Sequence, residues 1–373
     1  FQVFVDEGGH AYTVAQALQC ARWIYRWLRR EPEHPLPQIR REDLSLDPPE
    51  SLCCYPPAAE NMFTLNRALS EQLSRERSVD DLPRRVFRAT RLDLRRGAVT
   101  NAYAETPASV WIHSCQEVCL ETEPGIALPA TFLYPQDRSR RHPALLYFDD
   151  QGRWAQLREH GMLARCARFL EREAEIPAAI FSVDLRGWGD TQPAPVPYDL
   201  ASWAGKGRLL SYLSAGLNDS LLGMRVRDAL AALQYLRQRE EVDPEQILVG
   251  GRGLGAVVAL HVAVLDSGIS GVMAATMPSS FALLAQDADY TWPPEAFLTG
   301  VLRHYDLPDL VTALAPRPLL LINPLDARQQ PLAPEQAETL FPSQEGLVLR
   351  AGSSEAESVD TQVEWVRALA GAA

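Results

Sequence analysis

Basic side chains are in deficit here: 36 lysines and arginines face 48 aspartates and glutamates, a formal net charge of −12. A general nucleic-acid binder needs clustered cations to neutralise phosphates, and no basic stripe reverses the balance, so nucleic acid is excluded as a partner. Long apolar runs are missing too. No segment reaches the roughly 20 residues that cross a bilayer, so no membrane partner is expected. Cysteine is sparse, and Cys20, Cys53, Cys54, Cys115, Cys119 and Cys166 are too few for a disulfide framework in 373 residues. Cys115 and Cys119 share one face of a predicted strand, but no second Cys or His pair follows to complete a zinc site, so no metal is expected. Gly251, Gly253 and Gly255 lack the third glycine and the acidic partner of a dinucleotide fingerprint, and no cofactor is expected.

What is present is a chain 46% hydrophobic, enough for one large core and extra segments. Residues 1–30 read as an apolar strand end (FQVFV), a turn (DEGGH) and an amphipathic helix. Residues 31–82 read as a linker, rich in proline and charge at first and then carrying a short helix. From residue 83 the pattern changes. Apolar runs at 116–124, 127–135, 143–150, 178–185, 246–251, 271–276, 318–324 and 346–352 read as strands. Amphipathic stretches separate the later ones, which predicts an α/β fold with a mainly parallel sheet covered on both faces. The first two runs, joined through ETEPGI, read as an antiparallel entry hairpin.

Residues 247–260, ILVGGRGLGAVVAL, have the layout of a nucleophile elbow: a β-branched run, a tight glycine turn and a small-residue helix. In the frame Gly251-Arg252-Gly253-Leu254-Gly255 a glycine stands where G-x-S-x-G has its serine. The opening and closing segments also share an order of apolar strand, glycine turn and helix, with Trp23 and Trp365 in matching places. That repetition predicts that residues 1–30 are the last strand and helix of a preceding domain of the same type.

The runs PALLYFDDQG, FSVDLRGWGDT, SLLGMRVRDALAALQYLRQREEVDPEQILVGGRGLG and DLPDLVTALAPRPLLLINPLD resemble the acetyl-xylan-esterase-like branch of the α/β-hydrolases, over about residues 110 to 370. The resemblance implies an α/β-hydrolase fold for 83–373 and a serine route of ester hydrolysis. Carried over position by position, it puts the nucleophile at Gly253 and oxyanion amides in the loop Asp149, Asp150, Gln151, Gly152. It puts the acid at Asp326, and the histidine near Ser353 or Ser354. Nucleophile and base are then missing, and acyl transfer by this route needs both. On this reading 83–373 is a degenerate, inactive copy. The turn DEGGHAYT at the start matches the family's histidine turn and makes His10 the general base of the upstream domain. The complete protein would be a carboxylester hydrolase acting on small esters, such as acetyl groups on a polysaccharide. A family acting on plant polysaccharide implies an exported or periplasmic protein. The alternative is a non-catalytic binding or scaffold protein with a hydrolase fold.

Other residues carry less. His261, two helical turns past Gly253, reads as a core histidine. His304 precedes the strand leading to Asp326, and a rescue of catalysis through His304 and Asp326 is the third reading. Ser211, Ser214 and Ser220 read as capping residues. Arg186 and Asp190 read as a salt-bridged turn, and Arg225, Arg227 and Asp228 as ties between a helix and its neighbouring loops. Trp188, Trp203 and Trp292 fit either the core or a sugar-binding surface.

Overall fold

The computed structural model describes residues 1–7, 12–36, 47–54, 60–78, 80–92, 101–104, 108–110, 113–158, 160–172, 178–193 and 205–371. The chain divides into two compact units, Phe1–Glu60 and Asn61–Ala373.

In the N-terminal unit, helix α1 (Val14–Ile24) begins at a reciprocal cap. Thr13 Oγ1 accepts the N–H of Gln16 at 3.2 Å, and Gln16 Oε1 accepts the N–H of Thr13 at 3.0 Å. Asp6 accepts the Thr13 hydroxyl. The helix buries none of its residues; Trp23 and Ile24 are exposed, as are Trp27 and Leu28 beyond it and Val3, Phe4 and Val5 before it. The expected strand over FQVFV is absent, since residues 1–7 pair with no strand among the described residues. His10 lies outside the described residues.

The C-terminal unit is built on a ten-stranded sheet in the order β1-β3-β4-β6-β5-β7-β8-β9-β10, with β2 paired to β3. The strands are β1 (Asn101–Ala104), β2 (Ala108–Val110), β3 (His113–Glu123), β4 (Ile126–Pro135), β5 (His142–Asp149), β6 (Ala179–Val183), β7 (Val242–Arg252), β8 (Ile269–Ala275), β9 (Leu319–Ile322) and β10 (Leu347–Arg350). All eight runs expected from the sequence are present as β3–β10. β3 and β4 form the antiparallel hairpin, and β6 through β10 are joined by parallel pairings. The short β1 and β2, NAYA and ASV, were not foreseen, because neither alternates nor runs apolar.

The helices, in order, are α2 (Met62–Glu76), α3 (Leu82–Ala89), α4 (Met162–Arg172), α5 (Lys206–Gly216), α6 (Leu221–Arg237), α7 (Leu254–Leu265), α8 (Phe281–Gln286), α9 (Leu307–Ala313), α10 (Pro334–Leu340) and α11 (Glu355–Gly371). α2, read in the sequence as part of a linker, packs against α8, with Arg67 Nη2 donating to Gln286 C=O at 2.9 Å, and so falls within this unit. Both sheet faces are covered. Leu146, Phe148 and Val249 point into one cluster with α6 and α7. Leu145, Tyr147 and Leu248 point into the other, with Met162, Leu163, Val363 and Val366 from α4 and α11. Eleven of the twelve residues of α7 are buried, as expected of a helix apolar all round.

Register fixes what lies at the carboxyl end of the sheet. β5 and β7 are neighbours, with Phe148 opposite Gly251 and Asp149 opposite Arg252, so the loop after β5 and the turn after β7 meet side by side. Three strands end alike there. Gly253, Thr276 and Asn323 have φ of +59°, +49° and +46°. Their N–H groups donate to Ala275, Ile322 and Arg350 at 2.9, 2.9 and 2.7 Å, extending each ladder by one rung before the chain turns.

Candidate active site

Gly253 takes φ +59° and ψ −128°, a conformation that residues with a side chain adopt only under strain. The flanking glycines are there for space. A Cβ on Gly251 would lie 2.4 Å from the backbone of Gly255, and one on Gly255 would lie 2.2 Å from the carbonyl oxygen of Phe148. The glycine frame is therefore imposed by the sharp strand-to-helix turn, the turn that lifts a nucleophile above the sheet in hydrolases. Position 253 itself offers no atom beyond the backbone.

The loop after β5 faces this turn. Asp149 is 1% exposed; it accepts the N–H of Gln151 at 2.8 Å and Gln156 Nε2 at 3.2 Å. Burial raises the Asp149 pKa, and the neighbouring Asp150 charge adds to the effect. The N–H of Gly152 donates to the carbonyl of Asp149 at 2.9 Å, so the amides of Gln151 and Gly152 are engaged within the loop. The carboxylate of Asp150 accepts the N–H of Leu254 at 2.9 Å and the side-chain amide of Gln151 at 3.2 Å. Leu254 follows the elbow position, and its amide is the one an acyl oxyanion would use. Here that amide already holds a carboxylate.

Asp326 is present but turned to its own loop. Its carboxylate accepts the N–H groups of Arg328 and Gln330, both at 2.8 Å, and its carbonyl accepts Trp292 Nε1 at 2.8 Å. Ser353 is held by the side chain of Asn323, which accepts its N–H at 3.0 Å and donates to its carbonyl at 2.7 Å. Ser354 caps α11, receiving the N–H of Glu357 at 3.3 Å while its own hydroxyl donates to the Glu357 carboxylate at 2.8 Å. The loop that the resemblance assigns to the histidine is thus tied to the end of β9. Among the described residues no imidazole bonds to Asp326. His304 is surrounded by Arg85, Arg88, Arg91 and Arg303; burial and then these charges lower its pKa. His261 is enclosed in α7, bonded to the Val257 carbonyl and to the Tyr305 hydroxyl.

Near these loops runs a network of ion pairs built on the buried side chains of Asp184, Arg225 and Asp228. Asp184, wholly buried, accepts the N–H of Arg153 at 2.5 Å and of Asp190 at 3.0 Å as well as the Arg153 guanidinium, which also reaches Asp190 at 2.7 Å. Arg186 grips Asp228 at 2.7 Å through Nε and Glu123 at 2.8 Å through Nη2. Burial works against the Arg186 charge, but these two carboxylates raise its pKa on balance. Arg225 stacks on Trp188, 4.1 Å from the ring centroid, and pairs with Glu295 at 2.8 Å. The sugar-surface reading fails for Trp188 and Trp292, which are 2% and 5% exposed and belong to the core. Trp203 lies outside the described residues. The sequence reading named Asp150 only for its backbone; its carboxylate is the feature missed, and the sole signal was an Asp-Asp pair ending an apolar strand.

No protein-family model matches the sequence. A curated Bacillus subtilis (strain 168) protein named "Putative hydrolase YtaP" is 23% identical over 216 residues, which take in 54% of this chain and 66% of that protein, just under two thirds of its length. Among solved structures, the acetyl xylan esterase from Paenibacillus sp. R4 superposes with a TM-score of 0.52 at 16% identity, covering 83% of this chain and 95% of that one. Acetyl xylan esterase 1 from Thermoanaerobacterium sp. JW/SL YS485 gives 0.51 at 16% identity, covering 79% and 98%. At such identities the likeness is one of fold. In fold, this chain is similar to α/β-hydrolases such as these acetyl xylan esterases.

Proposed function

We propose that the protein is part of a serine carboxylester hydrolase in which the C-terminal unit is a catalytically silent copy of the fold. The observation that carries this reading is Gly253: the elbow keeps its turn and its flanking glycines but has no side chain, and the acyl-binding amide of Leu254 is already bonded. Without an oxygen nucleophile there is no covalent intermediate, and without an imidazole at 353 there is no base near neutral pH. Residues 1–30 are the closing segment and helix of an upstream catalytic domain, with His10 as its general base. The bare apolar face of α1 supports this, because α11, the matching helix of the C-terminal unit, buries Val363 and Val366 in its own core. The substrate class is an acetyl or similar ester on a carbohydrate, as the names of the similar structures indicate, and the site of action is outside the cytoplasm.

The test is fluorophosphonate labelling of the complete purified protein, followed by mass analysis of every polypeptide. An adduct upstream of Phe1 or on a partner chain, lost together with ester turnover in His10→Ala, is the expected result. A covalent adduct within 61–373 would overturn the reading of Gly253. No adduct anywhere would favour a purely binding or scaffold role.

A further inference from the structure

The elbow of the C-terminal unit has the makings of an anion site. The amide of Leu254 opens α7, a helix long enough to present a positive N-terminal end. Arg225, with no exposed surface, pairs with Glu295 and is favoured in its charged form by Asp150 as well, and its Nη1 has no hydrogen-bond partner among the described residues. Trp188, stacked on that guanidinium, likewise has a buried indole N–H without a partner. A buried cation with a spare donor, like a helix-opening amide, attracts a carboxylate or an acyl oxygen.

That place is filled from within. Asp150 Oδ2 sits 2.9 Å from the Leu254 nitrogen, and a Cβ added at Gly253 would fall 2.1 Å from the same oxygen. The carboxylate therefore stands in the space next to the elbow that a nucleophile's side chain and its bound acyl group would share. We propose that Asp150 is the resident anion of this elbow and closes it to carboxylate and acyl ligands. The glycine at 253 and the carboxylate at 150 are then complementary: only a residue without Cβ leaves room for the carboxylate. A serine returned to 253 alone would have to expel Asp150 first.

This inference rests on the elbow geometry and not on an upstream domain, so the labelling experiment above can fail while it stands. Its test is urea unfolding of the full chain at constant ionic strength, with sodium acetate replacing sodium chloride. Asp150→Ala removes the occupant. Asp150→Gly removes it by a second route, should Asp150→Ala fail to fold. Asp150→Asn keeps a neutral acceptor on the Leu254 amide and leaves the elbow closed. At about 0.1 M acetate the unfolding constant of each opened variant is expected to fall about tenfold, the response of a site with a Kd of about 10 mM. The parent and Asp150→Asn are expected to show no acetate-specific change. A parent that responds as the opened variants do, or folded opened variants of which neither responds, would overturn the proposal.

Discussion

Acidification is expected to destabilise the C-terminal unit through a single imidazole. His261 is fully buried; Nδ1 lies 2.7 Å from the Val257 carbonyl and Nε2 2.8 Å from the Tyr305 hydroxyl. A carbonyl can only accept, so Nδ1 carries the proton and Nε2 accepts from the phenol. Burial pulls the imidazole pKa down to about 4 from an ordinary 6.5. Above about pH 7.5 both folded and unfolded chains hold the ring neutral, and it contributes no pH dependence. Below about pH 6.5 the unfolded chain takes up a proton that the folded chain refuses, so stability is lost as the pH falls and the loss levels off below about pH 4. At about pH 4.5 the difference is roughly a factor of 75, or between 2 and 3 kcal/mol. The assay is urea unfolding followed by tryptophan fluorescence at several pH values from about 7.5 to 4.5, for the parent and His261→Gln. The glutamine keeps an acceptor for Tyr305 but does not titrate. Other groups titrate in this range and affect both proteins alike, so the quantity to read is the difference between the two curves. Parallel curves would refute the reasoning.

Two further outcomes follow from burial and pairing. The Cys166 thiol, pushed up to about 12 by burial, is expected to resist iodoacetamide near pH 8 in the native protein while exposed Cys20, Cys53 and Cys54 are alkylated; peptide mapping showing comparable rates would contradict this. Arg186→Met leaves Asp228, 1% exposed, with the Thr122 hydroxyl at 3.1 Å and the backbone N–H of residue 186 at 3.4 Å but no cation, and should cost about 3–5 kcal/mol. Adding Asp228→Leu should recover much of that loss in chemical denaturation, and a pair of changes whose costs merely add would argue against a coupled ion pair.

The fold was legible where sequence pattern is local. Each central strand is a short apolar run, and the glycines of the elbow are dictated by atoms a few residues away or on the adjoining strand, so they mark the turn with or without a nucleophile. The candidate site was less so. Arg153 with Asp184 and Arg225 with Glu295 join residues 31 and 70 positions apart, and no spacing rule reaches that far. Trp188 and Trp292 were open to a surface role because an isolated aromatic in a loop says nothing about which way it faces; packing against Arg225 and the Asp326 carbonyl settles both. The Asp150 carboxylate escaped notice because its significance depends on the missing Cβ at Gly253, a relation between two loops.

The row of left-handed residues at the ends of β7, β8 and β9 bears on how such proteins should be sorted. Each turn is held by a backbone rung to the next strand, and none of those rungs involves a group that would react. Outline and chemistry are therefore stored in different atoms, and a copy can surrender the second without any trace in the first. Families gathered by superposition will collect silent members alongside working ones, and only the side chain at one position, tested for reactivity, separates them.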